Sequence, residues 1–313
     1  MIRFIITACV WATACVASAQ PAEYRIAADS AAGLRELLRY SGDPLPLVSG
    51  HRGGAGVGLP ENCLATFSQT LEHGFAMLEV DPRVTRDGVV VLMHDATLDR
   101  TTTGSGPVAA HTLEQLKHLR LKDVHGTVTE HGIPTLSETF AWAKGRTVLV
   151  IDSKDLSVAQ RVAQIEQHDA EAYAMIIAGS VRAAQECYQL NPEVMMEVMI
   201  PDRARLQDFE ACGVPWENVV AFVGHEPTQD RGLIELLHAR GVLVMAGTSR
   251  NLDRELAQQP GSQPDMLPQY SALLERGIDI LETDLPRQVW PMLFRDTPIP
   301  AAAGALRPAP QGR

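Results

Sequence analysis

From Leu47 to Thr283 the chain repeats one pattern, a short apolar run followed by an amphipathic stretch. The runs lie at Leu47–Gly50, Met77–Asp81, Thr147–Asp152, Tyr173–Ala178, Val194–Ile200, Val219–Val223, Val242–Ala246 and Ile278–Thr283. Nearly continuous apolar runs read as strands buried on both faces, and the intervening spacing of three and four reads as helix. Asn62 is a good N-cap for a helix carrying Leu64, Phe67 and Leu71 on one face. Ser157 caps another with Val158, Val162 and Ile165, and a third carries Leu233, Leu236 and Leu237 and ends at Gly241. Strand–helix alternation predicts a parallel sheet, and eight strands is the number that closes an α/β (β/α)8 TIM barrel.

Val89 to Met93 would make a ninth strand, but only Arg86-Asp87-Gly88 separates it from the preceding extended run. A parallel crossover needs a dozen residues, whereas Asp-Gly in so short a link signals a hairpin. Residues 83–95 are therefore expected to form a β-hairpin extending strand two, and its returning arm brings His94 back beside Asp81. Residues 96–136 read as an insertion with one modest helix near Thr112 to Leu121. The domain reading is then an export signal over 1–19, an N-terminal extension over 20–46 with a short helix around Leu34 to Leu38, a catalytic barrel over 47–296, and a disordered Ala/Pro/Gly-rich tail over 297–313.

Charge and the first residues narrow the setting. A formal net charge of -11 argues against nucleic acid as a partner, but a local metal or Arg/Lys cluster can still receive a small anionic substrate. Met1-Ile2-Arg3, an apolar stretch from Phe4 to Val16 and Ala17-Ser18-Ala19 form the three regions of a signal peptide. The expected location is periplasmic or secreted, with a lipid anchor at Cys15 as the alternative. Cleavage after Ala19 leaves Cys63, Cys187 and Cys212, which allow at most one disulfide, Cys187 to Cys212; buried thiols are the other reading. No later segment reaches transmembrane length.

The chemistry concentrates at strand ends, where (β/α)8 barrels carry their active residues. His51-Arg52, Glu79-x-Asp81, His94-Asp95 and Asp152-x-Lys154 each follow or end an apolar run. Glu79 and Asp81, two apart on a strand, share a face and repel unless a cation or proton neutralises them. With Asp152 they form an all-oxygen set, which suits Mg²⁺ or Ca²⁺ better than zinc. Two imidazoles, His51 and His94, can divide proton acceptance and donation. Arg52 offers a planar fork and Lys154 a point charge for phosphate oxygens. Glu197, an acid inside an apolar strand, either binds a polar group in the pocket or forms an ion pair within the barrel.

The ordered set His51-Arg52-Gly53, Pro60-Glu61-Asn62, Glu79-Val80-Asp81, Thr85-Arg86-Asp87-Gly88 and His94-Asp95-Ala96-Thr97-Leu98-Asp99-Arg100-Thr101-Thr102 resembles the glycerophosphodiester phosphodiesterase family. Ile133-Pro134-Thr135-Leu136 and Thr283-Asp284-Leu285-Pro286 fit the same pattern, so the resemblance runs from about Leu47 to Trp290. It implies one divalent cation on Glu79, Asp81 and Asp152. It implies His51 as proton acceptor, His94 as donor, Arg52 as a further catalytic group, and substrate contacts from Arg52, Lys154, Glu61 and Asn62. The implied reaction is hydrolysis of glycerophosphodiesters to glycerol 3-phosphate and an alcohol. Two features depart from the family pattern: Asp152 stands where Glu is common, and Val244-Met245-Ala246-Gly247-Thr248 lacks a Trp-Thr-like pair. The rival readings are a related lipid phosphodiesterase of sphingomyelinase D or phosphatidylinositol phospholipase C type, and a non-catalytic phosphate-binding barrel. An aromatic content of 5% disfavours the first, because membrane docking needs an apolar rim.

Overall fold

The architecture comes from a computed structural model and is described for residues 23–226, 228, 230–258, 266–301 and 303–308. The segments read as an export signal and as a possible anchor at Cys15 lie outside the described residues. A short strand, β1 (Arg25–Ile26), and a helix, Ala31–Leu37, precede the barrel. The barrel opens with β2 (Val48–Gly50) and β3 (Ala76–Val80). A hairpin follows, β4 (Pro82–Val84) and β5 (Val90–Leu92). Then come β6 (Leu149–Ile151), β7 (Ala174–Ala178), β8 (Met195–Met199), β9 (Val219–Phe222), β10 (Val244–Gly247) and β11 (Ile280–Thr283). The last strand is β12 (Leu306–Arg307). Strands β2, β3, β6, β7, β8, β9, β10 and β11 close into one barrel with parallel neighbours.

Each apolar run of the sequence supplies one barrel strand because helices cover the outer face and the strands' own side chains fill the interior. Val150, Met175, Met195 and Ile280 are all fully buried. The register then decides where the polar strand ends fall. Thr283 pairs with Gly50, Gly50 with Leu78, and Val80 with Ile151. The residues that immediately follow, Asp284, His51, Asp81 and Asp152, therefore emerge on one rim, the C-terminal mouth expected of such barrels.

The hairpin forms as expected: β4 and β5 are antiparallel, with Pro82 opposite Leu92 and Val84 opposite Val90. Thr85 and Gly88 close the turn, with Gly88 at φ 80°, a conformation costly for a residue with Cβ. The insertion is stabilised by a second small core of Cys63, Val91, Met93, Leu98, Val108, Leu116, Leu121 and Ile133. Its expected helix is shorter than the pattern suggested, Leu113–Lys117 behind a Thr112–Gln115 capping box.

Three readings change. Asn62 does not cap the helix Leu64–Leu71; Cys63 occupies that position without a side-chain cap, and Asn62 turns inward at φ 54°. The tail expected to be disordered contributes β12, which pairs antiparallel with β1, and buries Ala303 and Leu306. Cys63, Cys187 and Cys212 are free thiols, the first two buried, so the Cys187–Cys212 bridge is not formed. Among the described residues no helix is long and apolar enough to cross a membrane.

Candidate active site

The site begins where β2 gives way to a tight turn, His51–Gly53. Arg52 there has φ 53°, outside helical space, and its backbone N–H donates to Glu79 Oε2 at 2.8 Å. Gly53 and Gly54 follow at φ 82° and 81°; a Cβ on either would overlap the Phe67 ring or Pro286. The turn can therefore press against the barrel only as glycine. His51 Nδ1 meets Asp284 Oδ1 at 2.6 Å. A carboxylate accepts, so Nδ1 carries the proton and Nε2 is left as the basic nitrogen. Burial alone would lower the His51 pKa, but the Asp284 hydrogen bond and the charges of Glu282 and Asp284 raise it above the ordinary value.

Glu79, Asp81 and Asp152 converge, with one carboxylate oxygen of each lying within 4.8 Å of the other two. Burial and the neighbouring charges of Asp81, Glu282 and Asp152 push the Glu79 carboxyl well above the ordinary range. Asp81 goes the other way. Burial opposes its ionisation, but Lys154 and the Asn62 amide hold its pKa below normal. The Lys154 ammonium lies 2.9 Å from Asp81 Oδ1 and also pairs with Asp152. Asn62 donates from Nδ2 to Asp81 Oδ2 at 2.6 Å and accepts the Asp81 backbone N–H at 3.0 Å.

This donor set fits a hard divalent cation. The buried Asp81 Oδ1 makes no hydrogen bond of good geometry, and three close carboxylates are balanced by one ammonium and a distant guanidinium, Arg52 Nε at 3.8 Å. Oxygen-only donors of this charge suit Mg²⁺ or Ca²⁺.

His94 arrives on the returning arm of the hairpin. The Met93 N–H donates to the Asp81 carbonyl at 2.8 Å, and Arg83 holds the His94 carbonyl at 2.7 and 3.2 Å. His94 Nδ1 meets Asp95 Oδ1 at 2.8 Å. Asp95 then binds Arg100 at 2.7 and 2.9 Å. Arg100 binds Glu61 at 2.7 and 2.9 Å, and Glu61 accepts from Arg52 at 3.2 Å. Arg100 first, then His94, holds the Asp95 carboxyl far below the ordinary range against the effect of burial. An unbroken polar chain thus links the second imidazole to the guanidinium beside the first.

The structure brings His51, Arg52, Glu61, Asn62, Glu79, Asp81, His94, Asp152 and Lys154 into this one constellation. Glu61 touches Arg52 and Arg100, and Asn62 touches Asp81, so in this arrangement both carboxamide and carboxylate brace other site residues. Arg52, Asn62 and Lys154, at φ 53°, 54° and 31°, are three of the four non-glycine residues with positive φ among the described residues. Strain of that kind concentrates at functional sites. Asp284, Glu282 and Arg100 were not singled out for a role by sequence reasoning. Asp284 follows an apolar strand run directly, the same signal that marked Asp152. Glu197 is buried with Oε2 unpartnered and makes no ion pair among the described residues. Burial and the charges of Glu282 and Asp152 push its carboxyl well above the ordinary range.

Residues 51–211 match the model of the glycerophosphoryl diester phosphodiesterase family. A glycerophosphodiester phosphodiesterase of Caldanaerobacter subterraneus subsp. tengcongensis is 40% identical over 105 residues, covering 33% of this chain and 43% of that protein. The match thus spans less than half of that relative's length. The crystal structure of a glycerophosphoryl diester phosphodiesterase from Parabacteroides distasonis is 36% identical, with a TM-score of 0.84, over 90% of this chain and 98% of that one. A phosphodiesterase of Oleispira antarctica, solved with its product sn-glycerol-3-phosphate, has the same fold at a TM-score of 0.57 and 20% identity, over 79% of this chain and 96% of that one.

Proposed function

The chain belongs to the glycerophosphoryl diester phosphodiesterase family, and on that premise we propose that it hydrolyses glycerophosphodiesters to glycerol 3-phosphate and an alcohol by acid–base catalysis. The observation that carries the reading is a pair of imidazoles, each with Nδ1 on an aspartate, flanking a three-carboxylate cluster with an arginine and a lysine. Asp284 and Asp95 fix the tautomers, so that both Nε2 atoms are available for proton transfer.

His51 Nε2 takes the proton of the nucleophile, either water or the neighbouring glycerol hydroxyl. His94, which in the donor role carries a proton on Nε2 as well as the one on Nδ1 facing Asp95, gives the Nε2 proton to the departing alkoxide. Arg52 and Lys154 bear the charge on the non-bridging phosphate oxygens as it grows; to do so each exchanges part of its carboxylate pairing for phosphate. Glu79, Asp81 and Asp152 would hold one divalent cation, Mg²⁺ or Ca²⁺, which as a Lewis acid polarises a phosphoryl oxygen. The product seen in the Oleispira antarctica phosphodiesterase supports glycerol 3-phosphate as the product class. The signal-like first residues support export of the enzyme.

The test is release of glycerol 3-phosphate from glycerophosphocholine with and without EDTA. No metal-dependent release from any glycerophosphodiester would overturn the reading. A diester lacking the adjacent hydroxyl separates the two nucleophiles: cleavage at full rate excludes a cyclic phosphate route.

A further inference from the structure

Behind the His51–Asp284 pair lies a second carboxylate, Asp253, in the helix Leu252–Ala257 that follows β10. It is 2% exposed, and the groups around it, Tyr270 and Thr283, are fully buried. Its Oδ1 accepts the Tyr270 hydroxyl at 2.6 Å. Its Oδ2 accepts both the Thr283 hydroxyl at 2.9 Å and the Asp284 backbone N–H at 2.7 Å. Thr283 Oγ1 in turn accepts the Leu285 N–H at 3.0 Å. The last residue of β11, Thr283, and the one after it, Asp284, are thereby held directly by one side chain from another element, and Leu285 is held through Thr283.

Burying a carboxylate is costly, and an apolar side chain of similar size would fill this space at lower cost. Here the carboxylate's hydrogen bonds fall on the backbone of the residue whose own side chain orients His51. The Asp284 side chain is half exposed, at 47%. Among the described residues its side chain makes no hydrogen bond besides that to His51 Nδ1 at 2.6 Å, so its place depends on the anchored backbone. We propose that Asp253, supported by Tyr270, is a positioning residue for the catalytic base, acting through Asp284 on His51. The assignment of His51 as base rests on the function proposed above; the geometric part does not.

The test has two readouts. The His51 Nδ1–H resonance, identified by its loss in His51→Ala, reports the Asp284 bond without any turnover. It is expected strongly downfield in the wild type and shifted upfield or broadened in Asp253→Ala. With glycerophosphocholine, Asp253→Ala is expected to lose about 10- to 100-fold in kcat with KM changed less than about twofold, the scale of a misplaced catalytic group. Asp253→Asn keeps an acceptor oxygen for Thr283 and Asp284 and should recover most of that loss. If Asp253→Ala fails to fold, Tyr270→Phe removes one supporting hydroxyl and keeps the ring; a smaller loss in the same direction is expected. A variant with lowered Tm but an unmoved His51 resonance and kcat would overturn the proposal. A wild type with the downfield signal and no diesterase activity would overturn the proposed function and leave the positioning intact.

Discussion

Replacing Asn62 by alanine probes the two-hydrogen-bond contact that holds Asp81 in the site. The Asn62 carboxamide donates to Asp81 Oδ2 at 2.6 Å and accepts the Asp81 N–H at 3.0 Å, with both residues buried. Its loss removes a hydrogen bond to a charged group, worth about 1.5–3 kcal/mol, and strands a buried N–H at a further cost of about 1–3 kcal/mol. Alanine must also hold φ near 54°, which adds about 1–2 kcal/mol relative to asparagine or glycine. The combined expectation is a destabilisation of about 3–5 kcal/mol, because partial relaxation and water entry offset some of each cost. Metal affinity should fall by about 10- to 100-fold, as for other groups that orient a ligand. Urea denaturation and a Mg²⁺ or Ca²⁺ titration followed by calorimetry measure the two effects. Asn62→Gly separates them: it removes the carboxamide but relieves the backbone, so it should be about 1 kcal/mol more stable than Asn62→Ala and equally poor in metal binding. An Asn62→Ala variant within about 1 kcal/mol of wild type, with unchanged metal affinity, would refute the argument that Asn62 holds Asp81 in place.

Removing either imidazole should separate chemistry from folding: His51→Ala and His94→Ala are each expected to lose about 10²- to 10⁴-fold in kcat while thermal melting by circular dichroism stays near wild type. Asp152→Ala should weaken metal binding by about tenfold or more while changing Tm little, because Asp152 lies at the barrel mouth with its side chain 23% exposed; unchanged metal affinity takes it out of the ligand set. The pH dependence has a definite sign. A base works only when neutral, and His51 holds its proton to above pH 6.5 because Asp284 and Glu282 outweigh burial, so the acid limb of kcat/KM should lie above 6.5. Asp284→Asn removes a charge and a strong acceptor, and the limb should move to lower pH; a limb that stays put or moves up means that His51 is not the titrating base.

How much of this was legible in the chain depended on whether the deciding partner was local. Val219–Phe222 and Ile280–Thr283 could be recognised as strands because a strand covered on both faces needs no polar alternation, and the apolar run itself carries the information. The hairpin was legible because Asp87-Gly88 admits few other conformations and the link is too short for a crossover. Asp81, His51 and Asp152 were legible for a related reason: a polar group directly after a buried strand must sit at a barrel rim. Asn62 was misread because its chemistry is compatible with two roles. An asparagine before an apolar helix can accept from that helix's first N–H groups, or it can adopt positive φ and reach elsewhere. What decides is the buried Asp81, with a donor and an acceptor to satisfy, and that residue is distant in sequence until β2 and β3 pair. The β1–β12 pair is hidden for the same reason, since two residues in an Ala- and Pro-rich tail carry no period and pair with Arg25 and Ile26, far away in sequence. Asp253 is the extreme instance. It sits in a helix with ordinary polar neighbours, and its demand for partners is met by Tyr270, Thr283 and the Asp284 backbone only once the barrel has closed. Since a buried carboxylate must find such partners or be expelled, a polar residue of this kind reveals its role only through the closed structure.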